Sequence, residues 1–270
     1  MIDTHVHFWQ LARGDYAWIN ESRPILNSDY LPDNFIKAIS GTNVKECIAV
    51  QAAPTEEESR FLLDLAQNCS QIVGVTGWLD LTNRHVSRHL ERLAADFKLV
   101  GIRPMAGVSQ GEKWLNTPVH AKGFKLLATH NLVLEALALT HHLNAITEVA
   151  KSFPELRIVI NHAAKPETKD IPRWINDIRA MTGLENTYCK VSGFTQQSSD
   201  SEHHQYVFDT LISVFGASRL VWGSDFPVLL ETTDYKSWIH SSEQLWTALS
   251  ADEINQIKHG TASRLYQLAG

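Results

Sequence analysis

The sequence is poor in cysteine, and this argues against a fold built on disulfides. Cys47, Cys69 and Cys189 are the three cysteines in 270 residues. They are odd in number, far apart and in no Cys-x-x-Cys pair, so we expect neither a disulfide framework nor a thiolate zinc site. We interpret them as buried thiols of a cytoplasmic protein.

Long apolar runs and an excess of basic charge are also missing. No apolar run approaches the ~20 residues of a membrane-spanning helix, and no signal-peptide pattern is visible. The formal net charge is −6, whereas nucleic-acid binding needs a clustered basic surface. We therefore expect neither a membrane nor nucleic acid as a partner. The sequence leaves the oligomeric state open, and a homo-oligomer is compatible with it.

Repeats, low-complexity tracts and flexible linkers are absent as well, which predicts one domain over residues 1–270. Hydrophobic residues make up 44% of the chain and charged residues 20%, a balance typical of a globular protein with a substantial core. This length is common for an α/β barrel that folds as a single domain.

Eight β-like segments alternate with helical segments along the chain. The predicted strands are 2–7, 46–52, 72–80, 99–103, 132–137, 156–162, 187–192 and 220–225. The predicted helices are 55–66, 83–97, 118–130, 141–152, 171–183, 203–216 and 234–249, with a last pair after Ser250. Such alternation indicates βαβ units, and eight units favour an α/β fold of the (β/α)₈ TIM-barrel type over an open sheet.

Most of the predicted strands carry polar side chains near their ends, although parallel strands buried on both faces should be aliphatic. In chain order these side chains are His5, His7, Gln51, Trp78, Asp80, Arg103, Glu135, His162, Lys165 just beyond it, Lys190 and Asp225. The carboxyl ends of barrel strands meet at one mouth, so we expect these residues to form a single pocket.

Two histidines in His-x-His spacing open the chain, and they suit a metal site. His5 and His7 would lie on one side of a strand, roughly 6.6 Å apart. Together with His162 and Asp225 they predict a site for one divalent metal, preferably zinc, that activates water and polarises a carbonyl. The alternative is catalysis without a metal, in which imidazolium groups and Arg103 polarise the carbonyl. Asp225 is the general base in either case.

Four further strand-end residues, Gln51, Trp78, Glu135 and Lys190, are candidates for substrate binding. Glu135 is a buried carboxylate by its pattern and therefore needs a partner. A structural ion pair is the competing interpretation for it.

The aromatic residues that follow the first strand allow two interpretations. Trp9, Tyr16 and Trp18 form either a lid over the pocket or the apolar filling of a surface loop. The loops 106–116 and 193–204 are expected to carry substrate specificity, but their sequences do not reveal which substrate they select.

Motifs in order along nearly the whole chain resemble the amidohydrolase superfamily, in its branch of sugar-lactone and muconolactone hydrolases. They are Ile-Asp-Thr-His-Val-His-Phe-Trp at 2–9, Asp-Tyr-Ala-Trp-Ile at 15–19, Val-Gln-Ala at 50–52, Gly-Trp-Leu-Asp-Leu at 77–81, Gly-Ile-Arg-Pro-Met at 101–105, Trp-Leu at 114–115, Ile-Asn-His-Ala-Ala-Lys-Pro at 160–166, Lys-Val-Ser-Gly at 190–193 and Trp-Gly-Ser-Asp-Phe-Pro at 222–227.

This resemblance implies a distorted TIM barrel that opens lactone rings of the L-fuconolactone or L-rhamnonolactone type. It places His5, His7, His162 and Asp225 on active-site positions of the family, and Arg103 on a substrate-contacting position. Lys-Val-Ser-Gly at 190–193 stands where binuclear members would have a further histidine, which argues against a two-metal centre.

Two rival functions share parts of this pattern. A metal-dependent decarboxylase on the same barrel would use similar strand-end histidines and carboxylates, and it would release carbon dioxide. A barrel that only binds sugar acids would bind its ligand without turnover. The intact set of His5, His7, His162 and Asp225 favours an enzyme, and we expect a small-molecule lactone as its substrate.

Overall fold

A computed structural model describes residues 1–105 and 111–268 of the chain. The first expected specificity loop, 106–116, therefore lies in part outside the described residues.

Eight parallel strands form the barrel wall in chain order, each hydrogen-bonded to the next, which confirms the predicted (β/α)₈ fold. The strands are β1 Ile2–Val6, β2 Glu46–Val50, β3 Ile72–Gly77, β4 Leu99–Ile102, β5 Val133–Ala136, β6 Ile158–Ile160, β7 Thr187–Val191 and β8 Leu220–Trp222. Most predicted strands extended beyond these ends, because the polar residues there already belong to the loops at the mouth.

The barrel closes between β1 and the residues that follow β8. Val6 and Phe226 form a parallel bridge, and His7 N donates to Phe226 O at 2.7 Å. Asp225 N donates to His5 O at 2.9 Å. This distorted closure places the backbone of Asp225 directly beside the two histidines of β1.

Helices surround the barrel, and some of them begin at a side-chain cap, namely at Thr55, Asp200, Asp234 and Ser250. They are α1 Pro32–Ile39, α2 Glu56–Asn68, α3 Val86–Leu93, α4 Ala121–Thr129, α5 Leu143–Ser152, α6 Ile171–Arg179, α7 Phe194–Gln197, α8 Ser201–Phe215, α9 Tyr235–Leu245, α10 Ala251–Asn255 and α11 Thr261–Leu265. The prediction missed α1 and α7. In the described part of the chain, none of the helices has the length and apolar content needed to cross a bilayer.

Thr55 with Glu58, and Ser250 with Glu253, have the sequence spacing of a capping box, and the structure treats the two pairs differently. Ser250 and Glu253 form the complete reciprocal box at the start of α10. At the start of α2, Thr55 accepts from Glu58 N at 3.1 Å, but the Glu58 side chain does not return to the cap. It is buried instead and accepts from Tyr16 Oη at 2.5 Å and from Ala52 N at 3.0 Å. Glu58 therefore links the loop after β1 to the barrel through its hydrogen bonds with Tyr16 and Ala52.

The barrel interior contains three layers. The first is an apolar layer that packs against the C-terminal segment, with Ile2, Ile48, Val50, Val100, Val133, Val159, Val221, Ala262, Leu265 and Tyr266. Above it is a buried ionic layer centred on Glu135 and Lys190. The third layer is the mouth, where the polar strand-end residues meet.

The cysteines lie mostly in the barrel wall and are all free thiols. Cys47 and Cys189 are buried as predicted, whereas Cys69 is half-buried at the end of α2.

Candidate active site

A cavity of about 190 Å³ opens at the carboxyl ends of the strands. Its lining consists of His7, Trp18, Arg23, Ala52, Arg103, Met105, Leu137, His162, Lys165, Asp225 and Val228. The volume is below the ~300 Å³ at which sites for drug-sized ligands begin, so it suits a small substrate.

Three histidines surround the Asp225 carboxylate at the floor of this cavity. The distances from Asp225 Oδ1 are 3.3 Å to His7 Nε2, 3.6 Å to His5 Nε2 and 3.9 Å to His162 Nε2. All four side chains are almost completely buried. The structure thus brings together residues from the first, sixth and eighth strands, as the sequence analysis expected.

Asp225 is ionised while the imidazoles around it are neutral. Burial lowers the pKa of His162 to about 3 and lowers the pKa values of His5 and His7 as well. Burial alone would raise the pKa of Asp225, but His162 and His7 outweigh it and lower that pKa to about 2. An ionised carboxylate beside neutral nitrogen atoms can accept a proton from water at neutral pH.

Hydrogen bonds to the far nitrogen atoms orient two of the imidazoles. His7 Nδ1 lies 2.7 Å from Val50 O, which only accepts, so Nδ1 carries the proton and Nε2 offers its lone pair to the site. His162 Nδ1 contacts Ser192 Oγ at 2.9 Å. Gly193 has φ of +70°, and a Cβ there would lie 2.7 Å from His162 Nδ1. A glycine is therefore needed for the His162 ring to occupy this position.

The segment that carries His162 is a left-handed turn without glycine. Residues 162–165 have φ values of 52°, 52°, 61° and 52°, and Asp225 has φ of 64°. Each such non-glycine residue costs roughly 1–2 kcal/mol. Both His162 and Lys165 line the cavity from this turn. Strain of this kind is typical of functional sites, where the surrounding fold maintains it.

Asp3 connects the two segments that carry the site. Its Oδ1 accepts from His5 N at 3.1 Å and from Ser224 N at 2.9 Å, while Oδ2 accepts from Tyr235 Oη at 2.7 Å. Ser224, which precedes Asp225, and His5 therefore both donate to the buried carboxylate of Asp3.

Arg103 reaches the cavity, but the barrel wall already holds most of its guanidinium. One terminal nitrogen donates to the backbone and side-chain oxygens of Gln51, and the other lies 3.3 Å from His5 Nε2. Gln51 Nε2 donates in return to Arg103 O at 3.0 Å. Gln51 is outside the cavity lining, so its observed contact is with Arg103 and not with the space for substrate.

Glu135 and Lys190, two expected substrate-binding residues, lie beneath the cavity and form an ion pair of 2.7 Å. Glu135 also accepts from Thr76 Oγ1 at 3.0 Å, Asn161 Nδ2 at 2.9 Å and Tyr266 Oη at 2.7 Å. Burial would raise the pKa of Glu135, but Lys190 outweighs burial and lowers it. Glu135 and Lys190 were expected to contact substrate, but the structure shows them paired with each other, outside the cavity lining.

All three protons of the Lys190 ammonium face acceptors. Besides Glu135, its Nζ contacts Thr4 O at 2.6 Å and His5 Nδ1 at 3.2 Å. The ammonium thereby connects the ionic layer to the first histidine of the site.

Trp78, the remaining candidate for substrate binding, does not reach the cavity. β3 ends at Gly77, and the Trp78 backbone exchanges hydrogen bonds with Ser59 Oγ of α2, at 2.7 Å from Trp78 N and 2.9 Å to Trp78 O. Its half-buried side chain lies outside the lining.

Among the polar and aromatic lining residues, Arg23 was not predicted, whereas Lys165 was expected at this mouth and Trp18 was considered for a lid. Lys165 is three residues after His162 in the same motif, just beyond the end of the sixth strand, as expected. Arg23 had no such signal. Of the three aromatic residues considered for a lid, Trp9 and Tyr16 are buried as loop filling, whereas Trp18 lines the cavity.

A divalent ion fits three of the expected metal ligands. One ligand atom each from His5, His7 and Asp225 lies within 4.8 Å of the others, and all three residues are buried. Asp225 is ionised, and His7 presents the lone pair of Nε2, as ligands must. His162, the fourth expected ligand, is not part of this set. A bound ion would lower the pKa of a coordinated water and polarise a carbonyl.

A sequence model described as Amidohydrolase matches residues 2–268. The chain belongs to the amidohydrolase family. An L-fucono-1,5-lactonase of Burkholderia ambifaria is 33% identical over 99% of this chain and 95% of the relative. A crystal structure of an amidohydrolase from Burkholderia multivorans with bound zinc has a TM-score of 0.92 at 30% identity, with 99% of each chain covered.

A decarboxylase structure shares the fold alone. It is a dihydroxybenzoic acid decarboxylase from a Polaromonas species with bound manganese, 12% identical at a TM-score of 0.71, and 98% of this chain and 96% of that one are covered.

Proposed function

We propose that this amidohydrolase opens the ring of a sugar lactone of the L-fucono-1,5-lactone type, with Asp225 as the general base. The observation that carries the proposal is the ionised Asp225 carboxylate beside three neutral imidazoles in a small cavity. The activity named for the Burkholderia ambifaria relative supports lactone hydrolysis.

In the proposed reaction, water lies between the lactone carbonyl carbon and Asp225. Asp225 takes a proton from the water, whose oxygen attacks the carbonyl carbon and creates an oxyanion. The charged Arg103 guanidinium stabilises this charge, and removal of one such donor costs ~3 kcal/mol. The ring carbon–oxygen bond then breaks, and the leaving oxygen takes the proton from Asp225.

We propose zinc as the divalent ion of the site, held by His5, His7 and Asp225. The zinc-bound relative and the two imidazole donors support this choice. We also propose a cytoplasmic location, which the free thiols support, and one domain over residues 1–270.

A lactone screen tests the proposed function. The enzyme is mixed with a panel of aldonolactones and dicarboxylate lactones in a pH-indicator buffer, with and without a chelator. We expect acid release from an aldonolactone, and the chelator arm reports whether an ion is needed. Carbon dioxide is measured in parallel with dihydroxybenzoates as substrates. Decarboxylation without lactone opening would contradict the proposal.

A further inference from the structure

Lys165 is the one cation of the cavity without a partner among the described residues. It ends the left-handed turn at 162–165 and lines the cavity together with Asp225 and His162. Its ammonium makes no hydrogen bond and no ion pair within residues 1–105 and 111–268. A half-buried ammonium has three donors that need acceptors, so these donors are available to a ligand.

The other cations near the site are already engaged. Lys190 directs all three protons at acceptors below the cavity. Arg103 is held by Gln51 and retains only its Nε without a partner. At the rim, the Arg23 guanidinium is paired with Glu231, with Nε to Oε1 at 2.9 Å. Lys165 is therefore the cation with the most donors left for a substrate.

The charge on Lys165 acts on the base of the reaction. Burial lowers the pKa of Lys165, while Asp225 raises it, so the two side chains are near enough to interact. During water attack the negative charge leaves Asp225 and appears on the substrate oxygen. The Lys165 ammonium, which has protons without acceptors in the same cavity, can then donate a hydrogen bond to the substrate oxygen, because that oxygen has become the stronger acceptor.

We propose that Lys165 is a catalytic residue whose ammonium donates a hydrogen bond to the lactone oxygen that becomes negatively charged. This inference rests on the proposed lactone hydrolysis. Arg103 can stabilise the oxyanion only in part, because most of its donors are already bonded to Gln51. The strained turn then has a function, since it directs the long side chain into the cavity instead of solvent.

Removal of the charge and its return from solution test this role. In Lys165→Ala we expect kcat/KM on the best lactone of the screen to fall by about 10²–10³-fold, the effect of losing one oxyanion donor. Ethylammonium or propylammonium at neutral pH should restore part of kcat in the space vacated by the side chain. Uncatalysed aminolysis is measured without enzyme and subtracted.

Two control variants separate charge from backbone. Lys151→Ala removes an exposed lysine on α5 that pairs with Glu148, and neither the variant nor added amine should change the rate. Lys165→Gly removes the same charge but relaxes the backbone, because φ there is 52°. It should lose as much activity as Lys165→Ala and respond to the same amines.

The outcomes distinguish this inference from the proposed function. A wild-type enzyme without lactonase activity would refute the proposed function itself. An active wild type with an equally active Lys165→Ala would overturn only the role of Lys165. Loss that amines do not restore, or a Lys165→Gly variant with full activity, would also overturn it and assign the residue to the turn.

Discussion

Two buried polar layers are stacked in this barrel, and they differ in how completely their hydrogen bonds are satisfied. In the lower layer, Glu135 accepts four hydrogen bonds and Lys190 directs three protons at acceptors. In the upper layer, Arg103 Nε is buried without a partner and Lys165 has no partner among the described residues. The charged groups of the lower layer thus have their hydrogen bonds satisfied, although Asn161 Oδ1 beside Glu135 has no partner, whereas the charged groups of the upper layer keep donors for a ligand.

The contrast explains why charge alone does not identify a catalytic residue. Glu135 and Asp225 are both buried carboxylates near strand ends, and both are ionised. Glu135 is surrounded by donors that leave no room for substrate, whereas Asp225 faces a cavity. Changes in the upper layer should therefore affect turnover, and changes in the lower layer should affect the stability of the fold.

The largest expected effect comes from the upper layer. Asp225→Asn should lower kcat/KM on the lactone by about 10³–10⁴-fold, because the general base is lost. The free energy of unfolding should change by less than about 1 kcal/mol, since asparagine has the same shape and tolerates the left-handed φ of 64°. Lactonase assays and urea unfolding check both parts, and an active variant would refute the assignment of the base.

Substitutions in the lower layer should reduce the stability of the fold more than they reduce turnover. Lys190→Met leaves Glu135 as a buried carboxylate without its cation, which should destabilise the protein by about 3–5 kcal/mol. The double variant Glu135→Leu/Lys190→Met should recover part of this loss, because no charge is then left unpaired. Urea unfolding of both variants measures the effect. A single variant as stable as the wild type would show that the layer contributes nothing to stability.

Sequence patterns predicted the barrel and the convergence at its mouth, but they did not separate the two layers. Arg103 and Asp225 follow the last residues of their strands and line the cavity, whereas Glu135 and Lys190 lie inside β5 and β7 and remain below it. The two layers differ in position along the strands by a few residues, and predicted strand ends have an error of similar size.

Other parts of the site depended on contacts between distant residues. Trp78 follows its strand like Arg103, yet the chain turns there toward Ser59 of α2. Arg23 comes from the long loop after β1, whose path is set by buried contacts such as that of Tyr16 with Glu58. Nothing in the local pattern around Arg23 indicates this position.

A smaller effect should come from the glycine that borders the upper layer. In Gly193→Ala the new Cβ would lie 2.7 Å from His162 Nδ1, so the ring must move away from Asp225. We expect kcat/KM to fall by roughly 10-fold, or about 1.4 kcal/mol. Gly183→Ala is the matched control, because φ is +79° there and nothing lies within 4 Å of the added Cβ. Equal losses of activity in both variants would assign the effect to backbone strain alone.

The smallest expected effect is the response to mild acid. The pKa of Asp225 is lowered to about 2, so this base stays ionised and kcat/KM should change by no more than about 10% between pH 7 and pH 4. An unperturbed aspartate, with a pKa of ~3.9, would already lose about half of its ionised form at pH 4. The pH profile is measured where circular dichroism shows an intact fold. An acid limb near pH 6.5 would instead indicate that the titrating group is an imidazole or a water on the proposed ion, because both titrate near neutrality. Asp225 would then no longer be assigned as the base of the upper layer, while the assignment of the lower layer would be unaffected.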